Sequence, residues 1–278
     1  MKDKIVVITG ANSGIGKAAA TDLARKGAHV VMLCRNQSKA EAAREEIRRD
    51  SGSDTVDFIQ ADLASFDSIR QAAAQVQKDY PRIDVLLNNA GLMLSKRSET
   101  ADGFEMQFGT NHLGPFLLTN LLLQTLKDSG PARIVNVASA AHWGGKIKFD
   151  DLNMSKGRYI GFLQYCHTKL MNILFTRELA RRIEGTRLTT NCLHPGGVNT
   201  NFAAGQAPGF LDGIVRSAMI TPEQGARTSV YLASDPAAAN VSGEYFAKCK
   251  KAMSSRRSKN MADALRLWTV SEQLVGLK

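Results

Sequence analysis

The sequence predicts an α/β fold: one doubly wound (Rossmann-type) parallel sheet of about seven strands, with helices on both faces. Three observations carry that prediction. Apolar runs of strand length alternate with longer amphipathic segments along the chain, the pattern of βαβ units. A glycine-rich stretch follows the first run and leads into a helix-like segment. Clusters rich in Asn, Asp and Gly come directly after later runs, on the strand ends where such sheets take ligands.

Taken in order, the strands read as KIVVIT (4–9), HVVMLC (29–34), TVDFIQ (55–60), IDVLLN (83–88), RIVNVA (133–138), RLTTNCL (187–193) and GEYFA (243–247). Helices fill the gaps. SKAEAAREEIRRD reads as a helix with Ser38 as N-cap, and TPEQGARTSVYLAS as one with Pro222 at the first helical position, where no N–H is needed. The leucine-rich stretch 113–126 is interrupted by Thr119, Asn120, Gln124 and Thr125, so it reads as a buried or interface helix rather than a membrane span. Another long helix is expected over 161–184. With 44% hydrophobic residues in 278, no linker and no repeat, residues 1–278 read as a single domain. It carries a substrate-loop region around 200–220 and a C-terminal extension over 248–278.

The net charge is +10, and six of the positive charges fall in KCKKAMSSRRSKN (248–260). That segment reads as a solvated loop, with steering of an anionic ligand as the alternative. No nucleic-acid motif accompanies the charge, so no such partner is expected. Cys34, Cys166, Cys192 and Cys249 are far apart without a CxxC pair, which suits a reducing compartment and predicts no metal site. The first apolar run is too short for a signal peptide or a span, so a cytoplasmic protein with no transmembrane anchor is expected.

ITGANSGIGKAAA places Gly10, Gly14 and Gly16 where a strand turns into a helix, an arrangement that cradles a pyrophosphate on backbone N–H groups. Gly10, Asn12, Ser13, Gly14, Ile15 and Gly16 are therefore cofactor-binding candidates. An NAD site usually presents an acid at the end of the second strand, but residues 23–40 contain none. Cys34 stands in its place and Arg35 follows. A guanidinium can pair with a 2′-phosphate, which predicts NADP(H); a plain surface arginine is the alternative. Asp62 and Leu63 follow the third strand, and NNAG brings Asn89, Ala90 and Gly91 after the fourth, either as turn residues or as cofactor contacts.

Within QYCHTKL (164–170), Tyr165 and Lys169 are four apart and share a helix face. An ammonium there is expected to favour the phenolate and lower the tyrosine's pKa. His167 and Cys166 are adjacent on the helix, point apart, and read as packing residues.

In the order TGANSGIG, NNAG, NHLG, Ser139, YCHTK and HPGGV, these motifs together resemble the short-chain dehydrogenase/reductase family over roughly residues 4–247. CRN, KFDDLN and YCHTKLMNILFTRELARR are similar to its retinol dehydrogenase and WW-domain oxidoreductase branch. The resemblance implies NADP(H)-dependent chemistry on a small-molecule carbonyl or alcohol, often a lipophilic one. It implies Tyr165 as acid/base, Lys169 as its partner and a ribose ligand, Ser139 as the carbonyl-orienting hydroxyl and Asn111 as the fourth catalytic member. Pro195, Gly196, Val198 and Thr200 would border the nicotinamide end. The family commonly has two serines after the fifth strand; here Ala138 precedes Ser139, which aligns with the second. Membrane-attached relatives carry an apolar N-terminal segment that this chain lacks. The 113–126 and 161–184 helices resemble the family's interface helices, so a homodimer or homotetramer is expected. NFAAGQAPGFLDGIVRSAMI, with Phe202, Phe210, Leu211, Ile214, Val215 and Met219, is expected to wall the substrate site. The alternatives are an NADP(H)-sensing protein without turnover, and a lyase or epimerase on the same scaffold.

Overall fold

The computed structural model describes residues 1–196 and 220–278. An eight-stranded sheet crosses the molecule in the order β3-β2-β1-β4-β5-β6-β7-β8. Its strands are β1 (Ile5–Thr9), β2 (His29–Cys34), β3 (Val56–Gln60), β4 (Val85–Asn88), β5 (Arg133–Val137), β6 (Thr189–His194), β7 (Tyr245–Ala247) and β8 (Lys250–Lys251). All seven expected strands form and pair in parallel; only β8 is antiparallel, to β7. β1 pairs with β2 on one side and β4 on the other, so the strand order reverses there. That switch point opens a crevice at the carboxyl ends of the strands.

The helices are α1 (Gly14–Arg25), α2 (Gln37–Ser51), α3 (Phe66–Asp79), the short α4 (Met106–Phe108), α5 (Gly114–Asp128), α6 (Gly161–Arg182), α7 (Pro222–Ser234) and α8 (Met261–Leu274). Side chains alternate across the sheet, so Val6 and Ile8 of β1 pack with α1, α2 and α7, while Val7 packs on the opposite side with α3, α5 and α6. Burying each of these aliphatic side chains contributes about 1.5–3 kcal/mol. Both faces are thus dry, which explains why the strands read as continuous apolar runs.

Three local expectations are corrected. Asn36, not Ser38, caps α2: its Oδ1 accepts the Lys39 N–H at 2.9 Å, and Ser38 sits inside the first turn, donating its hydroxyl to the same oxygen at 3.0 Å. The sheet has an eighth strand, reached through a two-residue turn in which Lys248 and Cys249 both have positive φ, at 51° and 59°. Both residues of β8 are exposed lysines, which blunt the sheet edge. The 248–260 segment is also more than a solvated loop, since Ser254, Ser255 and Ser258 are buried. By contrast, α7 starts as expected, with Pro222 in its first turn and a capping box between Thr221 and Gln224.

α8 packs on α6 and inserts Trp268 against Phe116 and Phe175, at ring separations of 4.9 and 5.8 Å, with the Arg182 guanidinium 4.3 Å from its ring. Such aromatic pairs add about 0.5–1.5 kcal/mol each beyond area burial. The helices behind the oligomer expectation are therefore partly covered by the chain's own end. Beneath the crevice, Asn88 donates to Asn136 Oδ1 (2.8 Å) and Thr119 Oγ1 (2.9 Å), and Asn136 donates to Thr176 Oγ1 (3.0 Å). This buried ladder ties β4 and β5 to α5 and α6. Among the described residues, no helix is long and apolar enough to cross a membrane.

Candidate functional site

A cleft of about 820 Å³ opens at the switch point. One end is built almost entirely from backbone. Gly10 adopts a left-handed φ of 67°, which bends the chain from β1 toward α1. At Gly16 a Cβ would collide with the Gly10 carbonyl oxygen and the Asn89 amide, so only glycine lets α1 approach this closely. Ser13 precedes α1 without a side-chain cap bond, and no acid occupies the first turn, so the helix start presents open N–H groups to the cleft. Asn12, Ser13, Gly14 and Ile15 all line it. Thr9 Oγ1 accepts the N–H groups of Asn89 and Ala90, both at 3.0 Å, which fixes the NNAG turn beside the glycine loop.

At the end of β2, burial pushes the Cys34 thiol up to about 11 even though its sulfur bonds the backbone N–H groups of Ala11 and Asn12. Arg35 lies beyond it at the cleft wall, joined by Asn36 and Lys39, two cleft residues the sequence reading did not single out. Their signal was the one that found Arg35: position just past the second strand. Asp62, Leu63 and Gly91 line the cleft. The Asp62 carboxylate accepts the Ala64 N–H at 3.0 Å and so also shapes its own turn. Leu92, Thr110 and Pro222 also line the cleft, although the sequence marked none of them as a cleft residue.

The other end is made of side chains. Ser139 starts a 3₁₀ turn (Ala140–Gly144), and its hydroxyl accepts the Ala141 N–H at 3.2 Å. It is also hydrogen-bonded to the Tyr165 phenol, which reaches it from α6. Burial pushes Tyr165 up to about 12, and the Ser139 bond offsets only part of that shift. Lys169 stands one turn on, with Nζ 5.4 Å from the Tyr165 ring centre, and donates to the Val137 carbonyl at 3.0 Å. Burial pushes it down to about 8. The expectation that Lys169 lowers the tyrosine's pKa is thus corrected: the lowering influence is the Ser139 bond, and burial outweighs it.

Asn111 is set behind the cleft rather than lining it. It lies in a π-helical turn, Gly109–Leu113, between α4 and α5. Pro115 has no N–H to donate to the Asn111 carbonyl four residues earlier, which accounts for the local widening. The Asn111 side chain accepts the Leu92 N–H at 2.8 Å and donates to the Leu92 carbonyl at 2.8 Å and to Thr168 Oγ1 at 3.2 Å. It therefore joins the NNAG segment to α6. Pro195 and Gly196 line the cleft past β6. Val198, Thr200 and the proposed wall residues Phe202 to Met219 lie outside the described residues. Cys166 and His167 are buried, and burial lowers His167 to about 4.

A glycine cradle and a Ser–Tyr–Lys constellation opening onto one crevice of a doubly wound sheet define a dinucleotide-binding class of protein. The chain belongs to the short chain dehydrogenase family, whose family model matches residues 4–209, and is an oxidoreductase acting on CH–OH or C=O groups. It lies close to the retinol dehydrogenase branch. It is similar to human retinol dehydrogenase 14, at 47% identity over 100% of this chain and 88% of that one. Human retinol dehydrogenase 12 is 46% identical over 99% and 87%. Among solved structures, a protein from Mycobacterium paratuberculosis is 38% identical with a TM-score of 0.82, covering 99% of this chain and 94% of its own. A Shigella flexneri short chain dehydrogenase complexed with NADP is 26% identical with a TM-score of 0.71, covering 88% and 97%.

Proposed function

We propose that the protein transfers a hydride between NADP(H) and a lipophilic carbonyl or alcohol, retinoid-like or otherwise largely apolar, with Tyr165 as acid/base. The observation that carries this reading is the Ser139–Tyr165 hydrogen bond at the reacting end of the cleft, with Lys169 one helical turn away. When bound, the nicotinamide supplies or takes the hydride. Reduction leaves charge on the former carbonyl oxygen. Ser139 would hold that oxygen while Tyr165 gives it a proton, a contribution typically worth about 10²- to 10⁴-fold. A phenol near 12 is protonated at neutral pH, the state a proton donor requires. Lys169 would take the ribose, and Asn111 would keep the NNAG turn and α6 in register.

Fit to the cofactor is supported by the cradle that any Cβ at Gly16 would fill, and by Arg35 and Lys39 at an acid-free β2 end. A relative named for retinol and a neighbour holding NADP point the same way. The test is to follow NADPH absorbance across a panel of carbonyls and alcohols, retinoids included. Net oxidation or reduction is expected, with higher kcat/KM for NADPH than NADH. Turnover without any change in absorbance would turn the reading toward a lyase or epimerase, and cofactor binding without turnover toward a sensor.

A further inference from the structure

His142 is fully buried three residues beyond Ser139, and both of its ring nitrogens are engaged. Nδ1 lies 2.7 Å from the Ser139 carbonyl oxygen, and Nε2 lies 3.1 Å from the Ser255 amide nitrogen. A carbonyl can only accept and an amide N–H can only donate, so the proton must sit on Nδ1 and Nε2 must be bare. The two backbone partners select one neutral tautomer. Ser255 belongs to the basic 248–260 segment, which grips the same turn again where the Arg257 guanidinium donates to the Gly145 carbonyl at 3.0 Å. It is anchored to α6 by Arg177, which donates to Ser254 Oγ at 3.1 Å.

We propose that His142 is a positioning residue for Ser139: its neutral ring braces the Ser139 turn against the 252–258 segment, and protonation of the ring releases that brace. The proposal rests on the assignment of Ser139 as the carbonyl-orienting hydroxyl. A charged ring would carry a proton on Nε2, facing the Ser255 N–H donor to donor, and the bridge would open. The groups around the ring oppose that charge. Arg177 of α6 adds repulsion, Arg257 lies at the same turn, His194 of β6 is itself pushed down by burial and by His142, and the Tyr245 ring of β7 lies tilted 5.0 Å away as a neutral phenol. Burial lowers the His142 pKa from its ordinary 6.5, so the bridge survives at neutral pH and opens on the acid side. This gives the 248–260 segment, left as surface loop by the sequence, a structural connection to the site.

The experiment combines histidine-selective NMR on the intact protein with kinetics of His142→Phe and His142→Gln. NMR should report a neutral Nδ1–H ring at pH 7; an Nε2–H or charged ring would overturn the proposal without reference to activity. His142→Phe keeps the ring volume but loses both bonds, and should lower kcat by about 10- to 100-fold, the scale of a small misplacement of a reacting group, with NADPH affinity unchanged. His142→Gln keeps one donor and one acceptor that do not titrate. It should retain kcat within about threefold and lose the acid limb of the kcat–pH profile below 6.5. A purely structural role would show as a lower Tm with kcat and pH profile unmoved in both variants, which would sink the idea. Failure of the underlying reading is distinct: Ser139→Ala would then leave kcat intact.

Discussion

At the nucleotide end of the cleft the chain offers main-chain N–H groups from one short stretch, shaped by residues that lack side chains. At the reacting end it offers Ser139 from the turn after β5 and Tyr165 and Lys169 from α6, with Lys169 held by Val137 and Asn111 of the π turn behind them held by Thr168, partners far away in sequence. The first end is specified locally and tolerates no added atoms. The second is specified by the tertiary fold and tolerates no lost ones. Substitutions that add or remove single groups therefore test the contrast directly.

The largest effect should come from removing one oxygen at the reacting end. Tyr165→Phe keeps the ring and its packing, and kcat is expected to fall by about 10²- to 10⁴-fold with NADPH affinity nearly unchanged. Single-turnover measurements and fluorescence titration separate the two, and near-normal transfer would remove Tyr165 from the chemistry. Adding one carbon at the other end should do the reverse. Gly16→Ala forces a Cβ onto the Gly10 carbonyl, an overpacking of about 1–3 kcal/mol, so cofactor Kd should rise by about 5- to 150-fold while the rate of bound complexes changes little. A loss confined to kcat would blur the contrast.

Arg35→Ala removes a side chain rather than backbone space at that same end. The NADPH over NADH preference in kcat/KM should shrink by about 10-fold or more, the worth of a charged hydrogen bond. An unchanged ratio would show that Lys39 or the backbone carries the choice.

Lys169 serves both ends, and its titration provides the mildest test. Its pKa is pushed from 10.5 to about 8, so the folded protein releases this proton before the unfolded chain does. The cost of holding the buried ammonium is complete below about 8 and is relieved as pH rises toward 10.5, so this group makes the fold more stable with pH in that window. Cofactor affinity should move the opposite way, weakening by about tenfold between pH 7 and pH 9 as the charge is lost. Lys169→Met should flatten both trends, and a wild-type affinity flat over that range would separate Lys169 from the cofactor.

The sheet was readable because its strands are buried on both faces and stand out as apolar runs, and the glycine turn because its chemistry is local. What escaped reading was set by competition or by distant partners. Asn36 and Ser38 are both good caps, and only the geometry of the turn chooses between them. β8 is two charged residues long and has no apolar period. The π turn depends on a carbonyl that Pro115 cannot satisfy, so its register was hidden although the proline was in plain view. The tyrosine's pKa was misjudged because i,i+4 spacing reports the nearness of Lys169 but not its Val137 partner or the dryness of the cleft floor. Asn36 and Lys39 were within reach of the argument that found Arg35.

The helix α8, held by Trp268 against the packed pair of Phe116 and Phe175 and bonded through Ser271 to buried His112 at 2.9 Å, acts on α5 and α6 as a partner of the same chain. A surface closed by an intramolecular partner follows unimolecular thermodynamics, whereas one closed by a second subunit grows more stable with protein concentration. For the part of the α5–α6 face under α8, the local concentration of the partner is set by the short tether from β8 and not by the amount of protein in solution. Dilution leaves that region of the molecule as firmly assembled as before.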